Sequence, residues 1–178
     1  MKLNAQQLRT ASEEEAKEVI LTNRNPLYLI LESVYDTYNI GGLFRLADAL
    51  NVEKIYLCGE MERPPNSRIE KASIGTYKIV PWEYKKTTKE AIDDIRLKEE
   101  KVQIVAVEQD KRSVPYTQIQ FTSPTALLVG NETFGVLPET LELVDKIAEI
   151  PMWGINKSLN VIVSAAIVSY EAISSIKA

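Results

Sequence analysis

Short apolar runs alternate along this chain with segments whose apolar residues recur every three or four positions. Mostly apolar runs of about five residues are typical of strands that are buried on both faces of a sheet. They predict six strands, at residues 27–31, 54–58, 77–80, 102–107, 125–129 and 146–150. Pro151 stops the last of these strands.

Segments with helical spacing lie between the strands. In the segment 38–50, Ile40, Leu43 and Ala47 fall on one face, and Asn39 looks like the N-terminal cap. The other predicted helices cover residues 4–23, 66–72, 87–100 and 138–144. This alternation predicts an α/β fold with a mostly parallel sheet of about six strands flanked by helices. We expect residues 1–25 to form an N-terminal helical extension and residues 26–178 to form one domain.

The last helix is apolar on almost all sides. Ser158 or Asn160 is expected to cap it, and Val163 and Tyr170 belong to one of its apolar stripes. Such a helix is buried on more than one side. We therefore expect one face to pack on the core and another, including Val168, to pack on a second subunit in a homodimer.

Composition restricts the chemistry. The chain has no histidine and a single cysteine, Cys58, so histidine metal sites, histidine general bases, cysteine-cluster metal sites and internal disulfides are excluded. The lone cysteine fits a reducing cytoplasm. No apolar run is long enough to span a membrane. Any reaction has to use other polar side chains or a bound cofactor, and no metal is expected.

Positive charge is concentrated in one part of an acidic chain. The net charge is −4, but residues 63–89 contain seven basic and two acidic residues, which gives +5 locally. Three aromatic residues, Tyr77, Trp82 and Tyr84, lie among them. Cations beside aromatic rings are typical of surfaces that bind single-stranded or looped RNA, although a solvated helix face beside core aromatics gives the same pattern. The predicted RNA-binding residues are Arg63, Arg68, Lys71, Lys85 and Lys86.

Three sequence motifs together carry a family resemblance. They are Asn39-Ile-Gly-Gly-Leu-Phe-Arg45, Gly130-Asn-Glu132 with Gly135, and Pro151-Met152 followed by Ser158-Leu-Asn-Val161. In this order and at these separations they closely resemble the motifs of SpoU-type RNA ribose 2′-O-methyltransferases of the SPOUT superfamily. The match covers roughly residues 27–172, so residues 26–178 are expected to be the catalytic domain. No phosphate-binding glycine loop is present.

The resemblance implies a C-terminal deep trefoil knot, a homodimer, and S-adenosylmethionine bound in the knot. It implies that Gly130, Ile150 and Leu159 hold the cofactor, largely through backbone groups, while Met152 lines the pocket. Val107, at the end of another strand, completes the predicted cofactor set. The alternatives are a turn glycine at Gly130 and plain core packing for the apolar residues.

The resemblance also assigns catalytic roles to Arg45, Asn39, Glu132, Ser158 and Asn160. The family proposal makes the arginine a general base, but guanidinium resists deprotonation, so we expect Arg45 to grip a phosphate and to stabilise the 2′-oxygen. The alternatives are a surface ion pair for Arg45 and helix caps for Asn39, Ser158 and Asn160. Glu132 is expected to pair with Arg45 or Asn39, or to cap the following helix.

The implied reaction is methyl transfer from S-adenosylmethionine to a ribose 2′-hydroxyl of tRNA or rRNA. Its acceleration comes mainly from alignment, and neither metal nor histidine is needed. A non-catalytic knotted RNA-binding protein is the first alternative, and the full set of motif residues argues against it. A doubly wound domain for another nucleotide is the second, and the missing glycine loops argue against that.

Overall fold

One parallel sheet forms the centre of the molecule. The computed structural model describes residues 4–12, 14–15 and 23–177. Its strands are β1 (Asn25–Glu32), β2 (Val52–Cys58), β3 (Trp82–Lys85), β4 (Gln103–Val107), β5 (Val114–Pro115), β6 (Thr125–Val129) and β7 (Lys146–Glu149). Its α-helices are α1 (Ala5–Thr10), α2 (Thr37–Ala49), α3 (Ser67–Ser73), α4 (Thr88–Lys98), α5 (Pro138–Leu141) and α6 (Val161–Lys177).

The seven strands lie in the order β3-β2-β1-β6-β4-β7-β5, and each neighbouring pair is parallel. The α/β fold with a mostly parallel sheet is therefore confirmed, with a short seventh strand, β5, that the apolar pattern did not predict. β1 and β6 are central, and their register places Leu29 beside Leu127. Both strands are buried on both faces, as their continuous apolar runs predicted.

Helices cover both faces of the sheet, and each face has its own apolar core. On one face, α2 and α6 contribute Phe44 and Val168 to a cluster with Leu29. On the other face, α4 packs Ile92 and Ile95 against residues of β1, β2 and β4. These two clusters hold the strands rigidly, so the loops at the strand ends have fixed anchors.

The predicted strand at residues 77–80 is wrong. Residues Thr76–Lys78 form a 3₁₀ turn, and β3 begins only at Trp82. The preceding residues Ile74 and Gly75 have φ of 51° and 91°, so the backbone turns here instead of extending. Tyr77 and Val80 are buried and Ile79 is partly buried, but burial alone does not separate a strand from a tight turn.

The prediction of a single helix over residues 4–23 is also wrong, because the helix that starts there is interrupted after Thr10. Asn4 caps α1, but the helix ends at Thr10 because Ala11 has an extended backbone. Lys78 donates a hydrogen bond to the carbonyl of Ala11 at 2.7 Å. Leu8 is buried, so α1 packs on the domain through its apolar side chain. Residues 16–22 of the predicted helix lie outside the described residues.

Helix α6 buries one face and exposes another, as its composition predicted. Val168 belongs to the buried face, so its expected place on the outward face is wrong. The outward face instead carries Val163 and Tyr170, which are 45% and 56% exposed. The trefoil knot that the resemblance implies stays a prediction. Among the helices described here, none has the length and apolar character needed to cross a membrane.

Candidate active site

A cavity lies where three neighbouring strands end. The carboxyl ends of β6, β4 and β7 open onto a space of about 940 Å³. Ligands of open parallel sheets bind at this edge because the strand ends and their loops converge there. The cavity is lined by all five residues that were predicted to hold a cofactor, namely Val107, Gly130, Ile150, Met152 and Leu159.

The cavity also brings together residues from the three motifs. Asn39, Glu132, Ser158 and Asn160 line it, although Asn39 lies 93 positions from Glu132 and 121 positions from Asn160 in the chain. Arg45 is the predicted catalytic residue that does not line it. The site is therefore assembled by the fold around four of the five predicted catalytic side chains.

Glu132 connects the loop after β6 to the start of α2. Its carboxylate accepts hydrogen bonds from the backbone N–H groups of Tyr35 and Asp36, at 2.9 and 3.0 Å, and from the Asn39 amide at 2.8 Å. Burial alone would raise the pKa of Glu132, but these hydrogen bonds outweigh it and leave that pKa below its usual value. The carboxylate therefore stays charged and holds the start of α2.

Asn39 is not the cap of α2, so that alternative is wrong. The cap is Asp36, whose side chain accepts from the N–H of Tyr38, and Asn39 lies in the first helical turn. Asn39 is 7% exposed. Its amide nitrogen donates to Glu132, and its oxygen accepts from the Asn160 amide at 3.0 Å. Asn39 therefore links the second motif to the third.

Asn160, and not Ser158, caps α6. Its side-chain oxygen accepts from the N–H of Ile162 at 2.8 Å, while its amide nitrogen faces Asn39. The predicted helix cap is thus confirmed, and the same side chain also binds Asn39. Ser158 is exposed at the cavity wall, and its N–H donates to Asn156 at 3.3 Å. The Ser158 hydroxyl makes no hydrogen bond with any residue that the structure describes.

Arg45 lies on the exposed side of α2. It forms no ion pair or hydrogen bond with the part of the chain that the structure describes, so a surface ion pair does not explain it. Glu132 pairs with Asn39 instead of with Arg45. The guanidinium is thus left to solvent, with all its donors available to an external ligand.

Gly130 is required by the packing of its own loop. A Cβ atom built there would overlap the carbonyl group of Gly135 and the backbone nitrogen of Val136. An isolated antiparallel bridge between Asn131 and Gly135 holds the same close approach. The glycine therefore shapes the wall of the cavity by admitting the Gly135 backbone.

Two further glycines in the first motif pack helices together, a role that the sequence did not reveal. A Cβ at Gly41 would overlap the Cβ of Ala72 in α3, and one at Gly42 would overlap the side chain of Ile162 in α6. Helix α2 is thus held at close range by two helices within one turn. Asp36 was also missed, although an aspartate just before an apolar helix is a capping signal.

The predicted RNA-binding stretch is only partly available to a ligand. Arg68 and Lys71 are exposed on α3, and Lys86 is exposed after β3. Arg63 lies 4.0 Å from the centre of the Tyr84 ring, which is partly exposed. Cations and an accessible aromatic ring are therefore present on this side of the molecule.

The other members of that stretch serve the fold. Lys85 forms ion pairs with Glu83 and Asp94, at 2.7 and 3.7 Å. Trp82 packs edge-on against Phe44, and Tyr77 is 8% exposed. Two of the three aromatic residues are thus part of the core, which was the structural alternative.

Similarity to known proteins indicates the same family as the three motifs that meet at this cavity. Residues 26–170 match the model of the SpoU rRNA Methylase family. The chain is 33% identical over 158 residues to a tRNA (guanosine(18)-2′-O)-methyltransferase of Aquifex aeolicus, covering 88% of this chain and 72% of that protein. It is 32% identical over 155 residues to the Escherichia coli protein of the same name, covering 86% of this chain and 66% of that one.

A solved structure gives the same result at the level of the fold. The AdoMet-bound rRNA methyltransferase from Sinorhizobium meliloti superposes with a TM-score of 0.75 at 30% identity. The match covers 88% of this chain and 59% of that one, so the chain spans roughly two thirds or less of several of its relatives. Because the family model covers most of the chain, including all three motifs, this protein belongs to the SpoU rRNA methylase family.

Proposed function

We propose that this protein transfers a methyl group from S-adenosylmethionine to the 2′-hydroxyl of a ribose in tRNA or rRNA. The observation that carries the proposal is the hydrogen-bonded series Glu132–Asn39–Asn160 at the edge of the cavity. It joins the three motifs of the SpoU methylases in one site. Relatives named as tRNA and rRNA 2′-O-methyltransferases support the same reaction.

The lining of the cavity fits S-adenosylmethionine. Ile150, Met152 and Leu159 offer apolar surface, and the ionisable side chains of the lining are Tyr35 and the carboxylates Asp36, Glu108, Glu132 and Glu149. No lysine or arginine is found among the described residues that line it. A ligand with a sulfonium and an ammonium group is favoured by such a lining. When bound, it supplies a methyl group that is already activated for transfer.

The chain's own residues then have to align the ribose oxygen and stabilise its charge. Asn160 and Ser158 present polar side chains at the cavity wall, and Glu132 fixes Asn160 through Asn39. Because a guanidinium group resists deprotonation, Arg45 contacts a phosphate and stabilises the oxygen as the oxygen's proton departs to solvent. Alignment of this kind can supply about 7–11 kcal/mol of the barrier reduction.

We further propose a homodimer formed through the outward face of α6. Val163 and Tyr170 expose apolar surface there, and Trp153 and Ile155 in the nearby loop are 92% and 103% exposed. Exposed apolar surface of this extent favours a protein partner. The second copy would bring its cations, such as Arg68, toward a cavity whose charged side chains are acidic.

We assign RNA contacts to Arg63, Arg68, Lys71 and Lys86, with Lys85 contributing less because it is paired with Glu83 and Asp94. We also propose that residues 26–178 form the catalytic domain, that residues 1–25 form an N-terminal extension, and that the protein acts in the cytoplasm. The basic residues neutralise phosphates, and their contribution depends on the salt concentration.

The deciding experiment combines the purified protein, methyl-labelled S-adenosylmethionine and separated tRNA and rRNA fractions. We expect label in one fraction, at a nucleotide whose 3′ linkage resists alkaline hydrolysis because its 2′-oxygen is methylated. A synthetic RNA with 2′-deoxyribose at the mapped nucleotide should accept no methyl group. The Asn39→Ala variant serves as the matched low-activity control. Labelling of the deoxy substrate would place the methyl group on a base and overturn the assignment to ribose.

A further inference from the structure

The loop that follows β6 is held from both sides by carboxylates that none of the three motifs contains. β6 lies between β1 and β4 in the sheet, and its continuation, residues 130–135, lines the cavity. Glu32 is the last residue of β1, and Glu108 directly follows β4. The two side chains therefore project from the strand ends that flank the loop.

Glu32 holds the far end of this loop. It is 3% exposed, and its Oε2 accepts from the N–H of Leu137 at 2.8 Å. Its Oε1 accepts from the hydroxyl groups of Thr88 and Thr140, each at 2.6 Å. A buried carboxylate with three donors has little freedom to move, so it forms a fixed anchor for the backbone of Leu137.

Glu108 holds the adjacent peptide and also lines the cavity. Its Oε2 accepts from the N–H of Val136 at 2.8 Å, and its Oε1 accepts from the N–H of Gln109 at 2.8 Å. Gly135 has φ of 68°, and a Cβ atom there would overlap the Glu108 carboxylate. Gly135 and the Glu108 carboxylate are thus in close contact. The N–H groups of the consecutive residues Val136 and Leu137 are bound by carboxylates from opposite sides of the loop.

We propose that Glu32 and Glu108 are positioning residues that fix the loop 130–137 as the wall of the cofactor cavity. This inference rests on the proposed function, because the loop is expected to contact S-adenosylmethionine. Neither carboxylate is required to touch the reacting atoms. Each carboxylate restricts the backbone of one loop residue that would otherwise move beside the open cavity. The cofactor therefore binds against a wall that is already in its final conformation.

Removing the acceptor should free the loop and weaken cofactor binding. In Glu108→Ala, we expect amide hydrogen exchange at Val136 to rise about tenfold or more, and the Kd for S-adenosylhomocysteine in calorimetry to rise about tenfold. The KM for S-adenosylmethionine should rise similarly, while kcat at saturating cofactor changes little. Glu108→Gln should recover most of both, because its amide oxygen can still accept from Val136.

Two other variants make the result specific. Gly135→Ala displaces the Glu108 carboxylate and should reproduce the behaviour of Glu108→Ala, whereas Glu32→Ala should raise exchange mainly at Leu137. Glu142→Gln is the control, because it removes an exposed carboxylate whose one partner among the described residues is Arg112 and which does not line the cavity. It should leave exchange and affinity unchanged.

The outcomes separate this inference from the proposed function. A wild-type protein that binds no S-adenosylhomocysteine overturns the proposed function. Wild-type binding together with unchanged affinity in Glu108→Ala overturns the positioning role, and so does unchanged exchange at Val136. A Glu108→Gln variant as impaired as Glu108→Ala would show that acceptance of the Val136 N–H is not the function of this side chain.

Discussion

The side-chain amide of Asn160 donates a hydrogen bond to the side-chain oxygen of Asn39 across 3.0 Å. The direction of this bond follows from Glu132, which is ionised and can only accept, so the Asn39 nitrogen has to face it. The Asn39 oxygen is then left for Asn160, whose own oxygen caps α6 through Ile162. One carboxylate therefore sets the orientation of two amides and of a helix start.

Asn39→Asp should disturb the hydrogen bonds between Glu132, Asn39 and Asn160 in a pH-dependent way that Asn39→Ala does not reproduce. The new carboxylate faces Glu132 at hydrogen-bond distance, and the repulsion should lower the free energy of unfolding by about 1–3 kcal/mol at pH 8. The pair should then share a proton in the native state. Because the unfolded chain would release that proton, lowering the pH should stabilise the Asp variant relative to wild type. Denaturant unfolding at pH 8 and pH 5 measures this effect, and Asn39→Ala should not show it.

Glu132 should contribute to stability only where it is charged. Its pKa is lowered in the folded state, so its contribution is present above the unfolded pKa and disappears as the pH falls through the folded pKa. We expect the difference in unfolding free energy between wild type and Glu132→Gln to be constant above about pH 6 and to shrink below about pH 4. Urea titrations across this range measure it. A difference that grows in acid would contradict the hydrogen-bonded carboxylate.

Much of this fold was predictable because its signals are local. The continuous apolar runs gave β1 and β6 within three residues at either end, and the helical spacing of Ile40, Leu43 and Ala47 gave the buried face of α2. The cofactor-cavity residues were placed together through the family motifs. Spacing alone favours ordinary core packing for Ile150 and Leu159.

The remaining features depend on contacts that are distant in sequence. Asn39 looked like a cap because its residue type fits that role, and its real partners, Glu132 and Asn160, are 93 and 121 positions away. Lys85 is paired both with Glu83, two residues away on the same strand, and with Asp94 on another element, and only the second partner is hidden from the sequence pattern. The two glycines of the first motif look alike in sequence. Only the packing of α2 against α3 and α6 shows which neighbouring side chain each glycine accommodates.

The outward face of α6 provides a test of the homodimer. Tyr170→Glu places a charge where the second copy is proposed to pack, so we expect monomers in light scattering at tens of micromolar protein and a large loss of methyl transfer. Leu97→Glu is the matched control, because Leu97 is an exposed apolar residue, 87% exposed, on α4 on the other face of the sheet. It should leave the assembly unchanged. A wild-type monomer under the same conditions would contradict the proposed dimer.

The basic residues should differ in their effect on RNA binding. Lys71→Ala removes an exposed cation that forms no ion pair with the described residues, so it should weaken binding and reduce the salt slope of log K by about 0.7 for single-stranded RNA. Lys85→Ala should change the slope less and the stability more, because Lys85 is paired with Glu83 and Asp94. Binding titrations at several salt concentrations measure both. Equal slopes for the two variants would show that pairing does not withhold Lys85 from RNA.

Arg45 should affect the rate and not the fold. The side chain is exposed and forms no ion pair or hydrogen bond with the described residues, so Arg45→Ala should keep the unfolding free energy within about 0.5 kcal/mol of wild type. The rate of methyl transfer should fall about a hundredfold, the scale for loss of one preorganised transition-state donor. Affinity for S-adenosylhomocysteine should change little, because Arg45 does not line the cavity. Arg45→Lys should recover only part of the rate, since an ammonium group cannot make the two-pronged phosphate contact. A rate equal to wild type in Arg45→Ala would remove this residue from the proposed site.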